Sequence, residues 1–465
     1  MTETVRTIEG WFWFPPDEQR AFGTLELEPR ALRLRLRDSP RPDEPSDESV
    51  VVHGESLDGD ALTMLGATIS GRTGVANYGH NVERYRGHTV LIGAHLLGEE
   101  ELVVERVTVR LRGMTEWMRD VSRGRSPYAG ARVIDPERDE LPDPLEVSLE
   151  GARLKLGLGV KKNFREHEQS LSFYANAAFE FEPAISLTDW RERWSRPLLD
   201  FFVFATREQI VTEELTVSNY DDARLDAVHP AIRRASTDQY WATERVEVIR
   251  QQEVDVRPRS IEPFRHQLLP LGALGDRAPV VIARFFELHR ELGSAALVLF
   301  AVLNTRTIFE ENRLLNLMAF VEGYHRRLFD EPHLTDQEHE ELVSALLDAI
   351  PKKHKNLYGP ALKRAHQQTQ RQRLKWLIAR AAAVDDYFDD STKPRLRDEL
   401  VDTRNDITHQ NEQEENAMPL SRLYERVERL VEVIEINLLL DLGVPHNLTR
   451  ELVKGAHVRQ TKPVT

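Results

Sequence analysis

The segment GTLELEPRALRLRLRD, residues 23–38, alternates apolar and polar side chains on both sides of a short polar turn. Leucine occupies every second position before the turn and again from Leu32 to Leu36. Since successive side chains of an extended chain point to opposite faces, this period of two predicts a β-hairpin with one buried face. Pro29 marks the turn, because proline and polar neighbours favour a tight bend. The hairpin therefore places the front of the chain in a β-sheet.

Four segments further along repeat the alternation: HTVLIGAHLL, ELVVERVTVRLRG, LEVSLEGARLKLGLGV and QSLSFYANAAFEFEP. Two of the predicted strands run into a helix that opens with a threonine and an acid, at Thr115 and at Thr188. This repeated junction favours two β units related by duplication, although chance similarity would give the same pattern. We therefore expect a β-rich, sandwich-like N-terminal region in two units, residues 8–145 and 146–225.

The second half of the chain changes to a helical pattern, with apolar residues three and four positions apart. Gly359-Pro360 and Gly443 interrupt this pattern, as breaks between helices do. Four of the predicted helices cover residues 335–350, 360–383, 393–408 and 420–442.

Long helices with short breaks are typical of an antiparallel bundle. We expect a helical connector over residues 226–300, an all-α bundle over 301–450 and a polar tail over 451–465. Together with the β-rich front half, this organisation predicts an α+β fold.

Composition restricts the class of protein further. The 465 residues include no cysteine, which excludes disulfides and thiolate metal sites and suits a reducing cytoplasm. The N-terminus MTETVRTIEGWFWFPP has no basic start followed by an apolar core, so no signal peptide is expected. The longest apolar run, residues 295–303, is too short for a membrane span, which needs about 20 residues. We expect a cytoplasmic protein of about three domains without a membrane segment.

The segment DELVDTRNDITHQNEQEEN near the C-terminus contains a compact set of polar side chains. At about 100° per residue, Arg404, Asn405, Thr408 and His409 share one arc of the predicted helix, beside an apolar stripe. Asn405 and His409 lie four residues apart, a spacing at which side chains on a helix can touch. The stripe consists of Leu396, Leu400 and Ile407.

These residue types suit the cleavage of RNA without a metal. One group must take a proton from the ribose 2′-OH and another must give a proton to the leaving oxygen, and histidine does both near neutral pH. An arginine fork binds phosphate oxygens and stabilises the negative charge of the transition state. Asparagine can fix the imidazole tautomer or bond the phosphate. The spacing alone is a weak signal, because solvated helix faces with Arg, Asn and His are common.

The hexapeptide RNDITH, residues 404–409, resembles the R-x4–6-H signature of HEPN domains, which is often found as R-N-x3-H. The segment FEENRLLNLMAFVEGYHRRLF, residues 309–329, is similar to the first bundle helix of ApeA-type HEPN proteins. Three N-terminal segments, GWFWFPPDEQRAFGTLELEP, VVHGESLDGDALTMLGATISG and YRGHTVLIGAHLLGEEE, resemble the ApeA N-terminal domain. The resemblance extends over residues 8–450.

The resemblance implies an anti-phage abortive-infection protein, with a β-rich sensor region in front of a HEPN ribonuclease bundle. Active HEPN domains are metal-independent endoribonucleases, for which 2′-OH attack would leave a 2′,3′-cyclic phosphate. By position, Arg404 and His409 would be the catalytic pair and Asn405 would support them. Glu322 and His325 would act behind that pair, with a plain polar helix face as the alternative. The resemblance implies no cofactor and no metal.

Partners follow from the same resemblance. Two HEPN protomers usually pack with both motifs facing one cleft, which implies a homodimer or a higher homo-oligomer. One helix supplies one histidine, whereas two protomers supply both an acid and a base. The substrate would be host or phage RNA, with tRNA among the candidates. The β-rich region would sense a phage-derived trigger, which we expect to be a protein.

Residues 351–380 form a basic block with nine Lys or Arg residues and no Asp or Glu, in a chain of net charge −15. A local field of this kind can draw RNA to a cleft. For the ring of Trp376 a core position is favoured over base stacking. Asp386 and Asp390 could hold Mg²⁺, but a plain helix end is the commoner role for such a pair. The cations expected to bind RNA are Lys352, Lys353, Lys355, Lys363, Arg364, Arg371, Arg373 and Lys375.

Two other functions stay open from the sequence. A non-catalytic HEPN adaptor that binds RNA or a protein would fit a motif that has lost its arginine or histidine, and both are present here. A hydrolase of glycans in the β-rich region would need paired carboxylates about 5–10 Å apart, and a sequence does not place them.

Overall fold

The computed structural model describes residues 5–28, 30–38, 49–74, 81–119, 143–165, 168–220, 245–250, 267–305, 307–329, 334–362, 367–385, 388, 392–409 and 418–457. The chain divides into two compact units. The first comprises Met1–Phe202, Ile210–Arg265 and Pro270–Ala283. The second comprises Val203–Gln209, His266–Leu269 and Arg284–Thr465.

The described strands all belong to the first unit and form one sheet, in the order β4-β1-β2-β3-β6-β5-β7-β13-β12-β8-β11-β10-β9. Their bounds are β1 Arg6–Trp13, β2 Ala21–Glu28, β3 Ala31–Arg37, β4 Val50–Ser56, β5 Ala61–Gly74, β6 Asn81–Gly87, β7 Thr89–Ile92, β8 Val103–Leu111, β9 Leu145–Leu149, β10 Ala152–Arg165, β11 Glu168–Ser186, β12 Thr212–Tyr220 and β13 Arg245–Arg250.

Six strands close into a barrel, because β4 pairs with β1 along one edge and with β5 along the other. The hairpin predicted from residues 23–38 is confirmed: β2 and β3 are antiparallel, and Glu28 pairs with Ala31 across the turn. The leucines of β3 are buried while the residues between them are exposed. Apolar residues of this kind fill the barrel interior, including Phe12, Leu25, Val52 and Tyr85.

The sheet continues beyond the barrel and joins the two β units expected from the sequence. Strand β8 of the first expected unit pairs with β11 and β12 of the second. The front strands also close into a barrel where a sandwich was expected, because pairing between β4 and β5 removes the free edges that a sandwich would keep. The α+β fold class itself is confirmed.

The expected helical connector, residues 226–300, is wrong in one part. Strand β13 lies inside it and pairs with β7 and β12, with Val246 and Val248 buried. Six residues give too short a pattern to separate a strand from a helix, so only the partner strands decide the structure.

The described helices lie mostly in the second unit. In the first half of the chain they are α1 Met114–Arg119, α2 Leu187–Trp190, a π-helical turn Arg191–Ser195 and α3 Arg196–Thr206. Further along they are α4 Leu271–Leu274, α5 Ala278–Leu292, α6 Ser294–Leu303, α7 Glu310–Leu328, α8 Asp336–Ala349, α9 Lys355–Leu362, α10 Gln370–Ala382, α11 Thr392–His409, α12 Leu420–Asp441 and α13 His446–His457.

Helix boundaries agree with the sequence where a cap is visible and differ where one was missed. Thr335 caps α8 in a capping box with Glu338, at the predicted start. The helix predicted over residues 360–383 is instead two helices, because Thr369 forms a second capping box with Gln372 and starts α10. Pro360 lies inside α9, where a break was expected. Helix α13 also occupies part of the expected tail, residues 451–465.

The helices of the second unit pack around α12, which carries the longest buried stripe. Helices α7, α10, α11 and α13 all contact it, and α11 also contacts α7 and α10. Along the described ranges, no helix is long and apolar enough to cross a membrane.

The close approach of strands β1 and β4 at Gly10 gives a test of the barrel closure. This glycine lies in β1 opposite Ser56 of β4, and a Cβ there would stand 2.2 Å from the backbone oxygen of Glu55. Since backbone atoms must move to relieve that clash, we expect Gly10→Ala to lower the free energy of unfolding by about 1–3 kcal/mol. Urea denaturation measures the change. Gly71→Ala in β5 is the control, because its Cβ meets only Arg84 Nη1 at 3.8 Å. Equal effects of the two variants would contradict the tight closure.

Candidate active site

Helix α11 carries the RNDITH motif on its last turns. Leu396 and Leu400 of the expected apolar stripe are buried, and Ile407 is partly buried. Val401 adds to the same buried face. The helix is therefore anchored by its middle, and the motif lies where the buried face gives way to solvent.

Within the motif, Arg404 and Asn405 are in contact. Arg404 Nη1 donates a hydrogen bond to Asn405 Oδ1 at 3.1 Å, and both side chains are partly buried. Thr408 Oγ1 donates to the backbone oxygen of Arg404 at 2.7 Å. The bond to Asn405 uses one of the five guanidinium donors, so the fork keeps donors for another acceptor. Arg404, Asn405 and Thr408 thus form one polar cluster.

The sequence expected Asn405 to pair with His409 at the four-residue spacing. In the structure Asn405 accepts from Arg404. His409 is the last residue of α11, and its side chain lies outside the described part of the chain. The expected contact between Asn405 and His409 stays a prediction, and the contact that the structure adds is the hydrogen bond from the Arg404 guanidinium.

Ion pairs hold α11 against its neighbours. Arg371 of α10 binds Asp398 and also Asp402, the latter at 2.7 Å. Arg426 of α12 binds Glu399 at 2.6 Å. Burial raises the pKa of Glu399, but hydrogen bonds from Arg395, Arg422 and Arg426 outweigh burial and hold that pKa below its ordinary value.

A partly buried polar network joins three helices of the bundle. Tyr324 of α7 donates to Asp441 of α12, and Arg380 of α10 donates to Asp441 Oδ1 at 2.6 Å and to Tyr324 Oη at 3.0 Å. Burial, and then the charge of Asp441, raise the pKa of Tyr324 well above its ordinary value. Burial lowers the pKa of Arg380, but its bond to Asp441 and its contact with Tyr324 raise it on balance. Tyr324 thus stays protonated and donates a hydrogen bond to the carboxylate of Asp441.

Glu322 and His325, the expected supporting residues, lie on α7. Glu322 pairs with Arg326 at 2.9 Å on a half-exposed surface. His325 is 1% exposed, and its Nδ1 accepts from Arg373 Nη1 at 3.2 Å. Its ring packs edge-on against Trp376, with centroids 5.1 Å apart. His325 is therefore a core histidine.

Arg373 corrects the list of RNA-binding cations. It is fully buried, and its Nε donates to the backbone oxygen of Gln368 at 3.1 Å. A guanidinium enclosed in this way does not meet a phosphate, so the expected RNA contact of Arg373 is wrong. Helical phase would have revealed this, because Arg373 shares one face with the buried Leu374, Leu377 and Ile378.

The other expected cations separate into exposed and paired groups. Lys352, Lys353 and Lys375 are exposed. Lys355 pairs with Asp348 at 3.3 Å, and Arg371 is held by α11. Lys363 and Arg364 lie outside the described residues, as do Asp386 and Asp390.

The ring of Trp376 is partly buried and packs against Phe329, with centroids 4.2 Å apart. Over the described ranges, no three His, Asp or Glu side chains come together as a metal site would require.

A cavity of about 300 Å³ in the second unit was not foreseen from the sequence. Arg313 lies in its wall and binds Glu428 at 2.6 Å. Burial raises the pKa of Glu310, another lining residue, above its ordinary value. Helices α7 and α12, which supply these residues, are far apart in sequence, so no local motif marks the cavity.

Two family models match the chain. Residues 7–278 match ApeA N-terminal domain 1, and residues 315–448 match the Apea-like HEPN domain. No curated protein and no solved structure matches. The second match contains the whole of α11 with Arg404, Asn405 and His409. HEPN domains are usually ribonucleases, and the two matches together support an anti-phage HEPN protein with nuclease activity.

Arg373 and Lys375 provide a matched pair of substitutions on α10. Arg373→Ala removes the donors to His325 and Gln368 and opens a cavity, so we expect the free energy of unfolding to fall by about 2–4 kcal/mol. Lys375→Ala removes an exposed side chain and should change that free energy by less than about 0.5 kcal/mol. Urea denaturation measures both. If Arg373→Ala left stability unchanged and reduced RNA affinity, Arg373 would instead be a residue that contacts RNA.

Proposed function

The chain belongs to the ApeA-like HEPN family, and from this premise we propose that it is an abortive-infection endoribonuclease that acts without a metal. The observation that supports the activity most directly is the contact between Arg404 and Asn405 at the end of α11, one turn before His409. All three motif residues are present, and among the described residues the partner of the arginine side chain is the neutral Asn405. A guanidinium with a neutral partner keeps its attraction for a phosphate.

The proposed reaction is an attack of the ribose 2′-oxygen on the adjacent phosphorus. A base takes the 2′-OH proton, the new P–O bond forms, and the bond to the 5′-oxygen breaks as an acid supplies a proton to that oxygen. The products are a 2′,3′-cyclic phosphate and a 5′-hydroxyl. His409 is the proton-transfer group, and Arg404 stabilises the charge on the phosphoryl oxygens. Asn405 positions the Arg404 guanidinium through the bond at 3.1 Å.

The proposed active form is a homodimer or a higher homo-oligomer. HEPN domains commonly dimerise. One motif contributes one histidine, whereas the reaction needs a base and an acid at the same phosphate. Two α11 helices facing one cleft would supply both groups and two arginines. The assembled site would therefore be shared between protomers.

RNA is proposed to approach over the exposed lysines that precede and follow α9, with Lys352 and Lys353 on one side and Lys375 on the other. Lys355 contributes less, because Asp348 already pairs with it. The substrate is host or phage RNA, and tRNA is a candidate. The first unit is proposed to sense a phage component, expected to be a protein, and to release the ribonuclease from inhibition.

The second candidate is an adaptor that binds RNA or a protein without cleaving RNA. The burial of His325 favours it to a small degree, since one expected supporting residue is committed to the core. Cleavage of RNA separates the two functions directly.

Arg404→Ala and His409→Ala should each abolish RNA cleavage and phage protection, while the oligomeric state stays unchanged. Purified protein is incubated with total RNA in EDTA, with the trigger supplied from phage-infected lysate, and cleaved ends are tested for 2′,3′-cyclic phosphate. Arg395→Ala on the same helix and His446→Ala on an exposed helix end are matched controls that should retain activity. Full cleavage by His409→Ala protein would remove this mechanism, and no cleavage by the wild type under any trigger would favour the adaptor.

Lys352→Glu/Lys353→Glu/Lys355→Glu protein should bind RNA at least tenfold more weakly. Each lost phosphate contact should reduce the slope of log affinity against log salt by about 0.7 for a single strand. Fluorescence anisotropy in a salt series measures both quantities, with His409→Ala in all proteins to prevent cleavage. An unchanged slope would place the RNA path elsewhere on the bundle.

A further inference from the structure

Five arginines lie on the outer face of two paired barrel strands, β3 and β6. On β3, Arg33, Arg35 and Arg37 alternate with buried leucines and are exposed. On β6, Arg84 and Arg86 are exposed in the same way. The register places Arg33 opposite Arg86 and Arg35 opposite Arg84. Two arginine pairs therefore face each other directly across one antiparallel ladder, and we call these five residues the arginine face.

Like charges directly opposite each other destabilise a sheet. The neighbours of the arginine face offset only part of this cost. Glu26 lies opposite Arg33 on β2, and Glu28 is 3.6 Å from the same guanidinium. The partners of Arg35 and Arg86 on their other sides are Thr24 and Thr68, which carry no charge. Arg84 donates to Thr73 at 3.1 Å.

Within the described ranges, no carboxylate forms an ion pair with Arg35, Arg37, Arg84 or Arg86. The chain as a whole has 77 acidic residues against 62 basic ones. Acidic side chains are thus common, yet among the cross-strand neighbours of Arg33, Arg35, Arg84 and Arg86 in the described register only Arg33 has one, Glu26. A sheet that keeps unfavourable charge pairs is consistent with a surface that is retained for binding.

Aromatic rings lie next to the arginine face on the same outer surface. Trp11 of β1 pairs in register with Phe22 of β2, with ring centroids 5.4 Å apart. Trp11 is 46% exposed, whereas Trp13 two residues later is buried. Phe22 shares its face of β2 with Thr24, the neighbour of Arg35. At the usual strand spacing, Trp11 lies roughly 10 Å from the Arg35 strand.

We propose that the arginine face binds the phosphate backbone of a single-stranded nucleic acid, with Trp11 stacking on an exposed base. An arginine side chain can donate two parallel hydrogen bonds to one phosphate, and paired arginines on adjacent strands offer a row of such bidentate sites. An aromatic ring beside a cationic groove is the usual arrangement of proteins that bind single strands without regard to sequence. An acidic protein would also satisfy the arginines, but a row of arginine forks with an exposed indole beside it matches the alternation of phosphates and bases in a single strand, so the observations favour nucleic acid.

The proposal needs no catalysis by the helical unit. It concerns side chains within the first unit alone, and it stands whether or not RNA is cleaved. It also differs from the sensing role given to that unit, because the partner is a polyanion of defined chemistry.

Binding is tested with a 20-nucleotide fluorescein-labelled oligo(U) and with oligo(dT) of the same length, by anisotropy in a salt series. All proteins carry His409→Ala and the three lysine reversals in the bundle, so cleavage and bundle binding do not contribute. Arg35→Glu/Arg84→Glu should weaken binding at least tenfold and lower the salt slope by about 1.4, which is 0.7 for each of two phosphate contacts. Arg193→Glu/Arg277→Glu makes the same charge change at exposed arginines elsewhere in the unit and should have little effect.

A single charge reversal, Arg35→Glu, separates a binding role of Arg35 from a purely structural one, because it should change stability and affinity in opposite directions. Arg35→Glu turns the pair with Arg84 into opposite charges, so the melting temperature should rise by about 1–3 °C while nucleic-acid affinity falls. Trp11→Ala should weaken binding about tenfold, because the stacking of one base on the indole is lost. A preference for oligo(U) over oligo(dT) would identify RNA as the ligand, and the reverse would identify DNA.

Equal binding by Arg35→Glu/Arg84→Glu and its control would overturn the proposal, as would an unchanged salt slope. Competition by poly-glutamate as strong as by oligo(U), with no effect of Trp11→Ala, would also overturn it and would assign the face to an acidic protein. The barrel should remain folded in every variant. Even the double reversal only replaces the Arg35–Arg84 pair by two glutamates opposite each other, so a like-charge pair is present before and after. Circular dichroism of each variant confirms that point before binding is measured.

Discussion

The helical unit depends on one partly buried carboxylate, Asp441. It accepts hydrogen bonds from Tyr324 on α7 and from Arg380 on α10, and it lies at the end of α12. A charged pair gains from burial only when its geometry is complete, because removing charges from water costs several kcal/mol per ion. Tyr324 and Arg380 complete that geometry together. The network therefore fixes three helices in one register, and α11 packs against all three of them.

The motif benefits from this rigidity without taking part in it. Helix α11 is anchored by leucines in its middle and by Arg371 and Arg426 along its flanks. Its last turns project beyond those contacts, which leaves Arg404 and Asn405 partly exposed. A catalytic pair needs both conditions, since positioning requires a rigid helix and a phosphate requires access. The placement suits a site that a second protomer completes.

Local periodicity explains why part of the fold could be predicted. The β2–β3 hairpin and helices α8, α11 and α12 follow from patterns within each segment, and their bounds agree closely with the structure. Closure of the barrel between β4 and β5, and the pairing of β13, depend on partners distant in sequence that no local pattern contains. Arg373 was misassigned because a run of cations was counted without its helical phase. The Arg404–Asn405 contact depends on side-chain rotamers, which the spacing of residues along a helix does not determine.

Each of the two units carries a local cluster of cations. A net charge of −15 gives the chain as a whole no attraction for nucleic acid, so any attraction must come from local fields. The helical unit concentrates cations around α9 and the start of α10, and the first unit concentrates them on the arginine face. The two surfaces differ in how they hold charge: Lys352 and Lys353 are exposed on the surface, whereas Arg35 and Arg84 are forced together by strand register. A lysine cluster of the first kind costs little stability and implies little by itself. An enforced pairing costs stability in every folded molecule, so the arginine face is the stronger indication of a polyanionic partner.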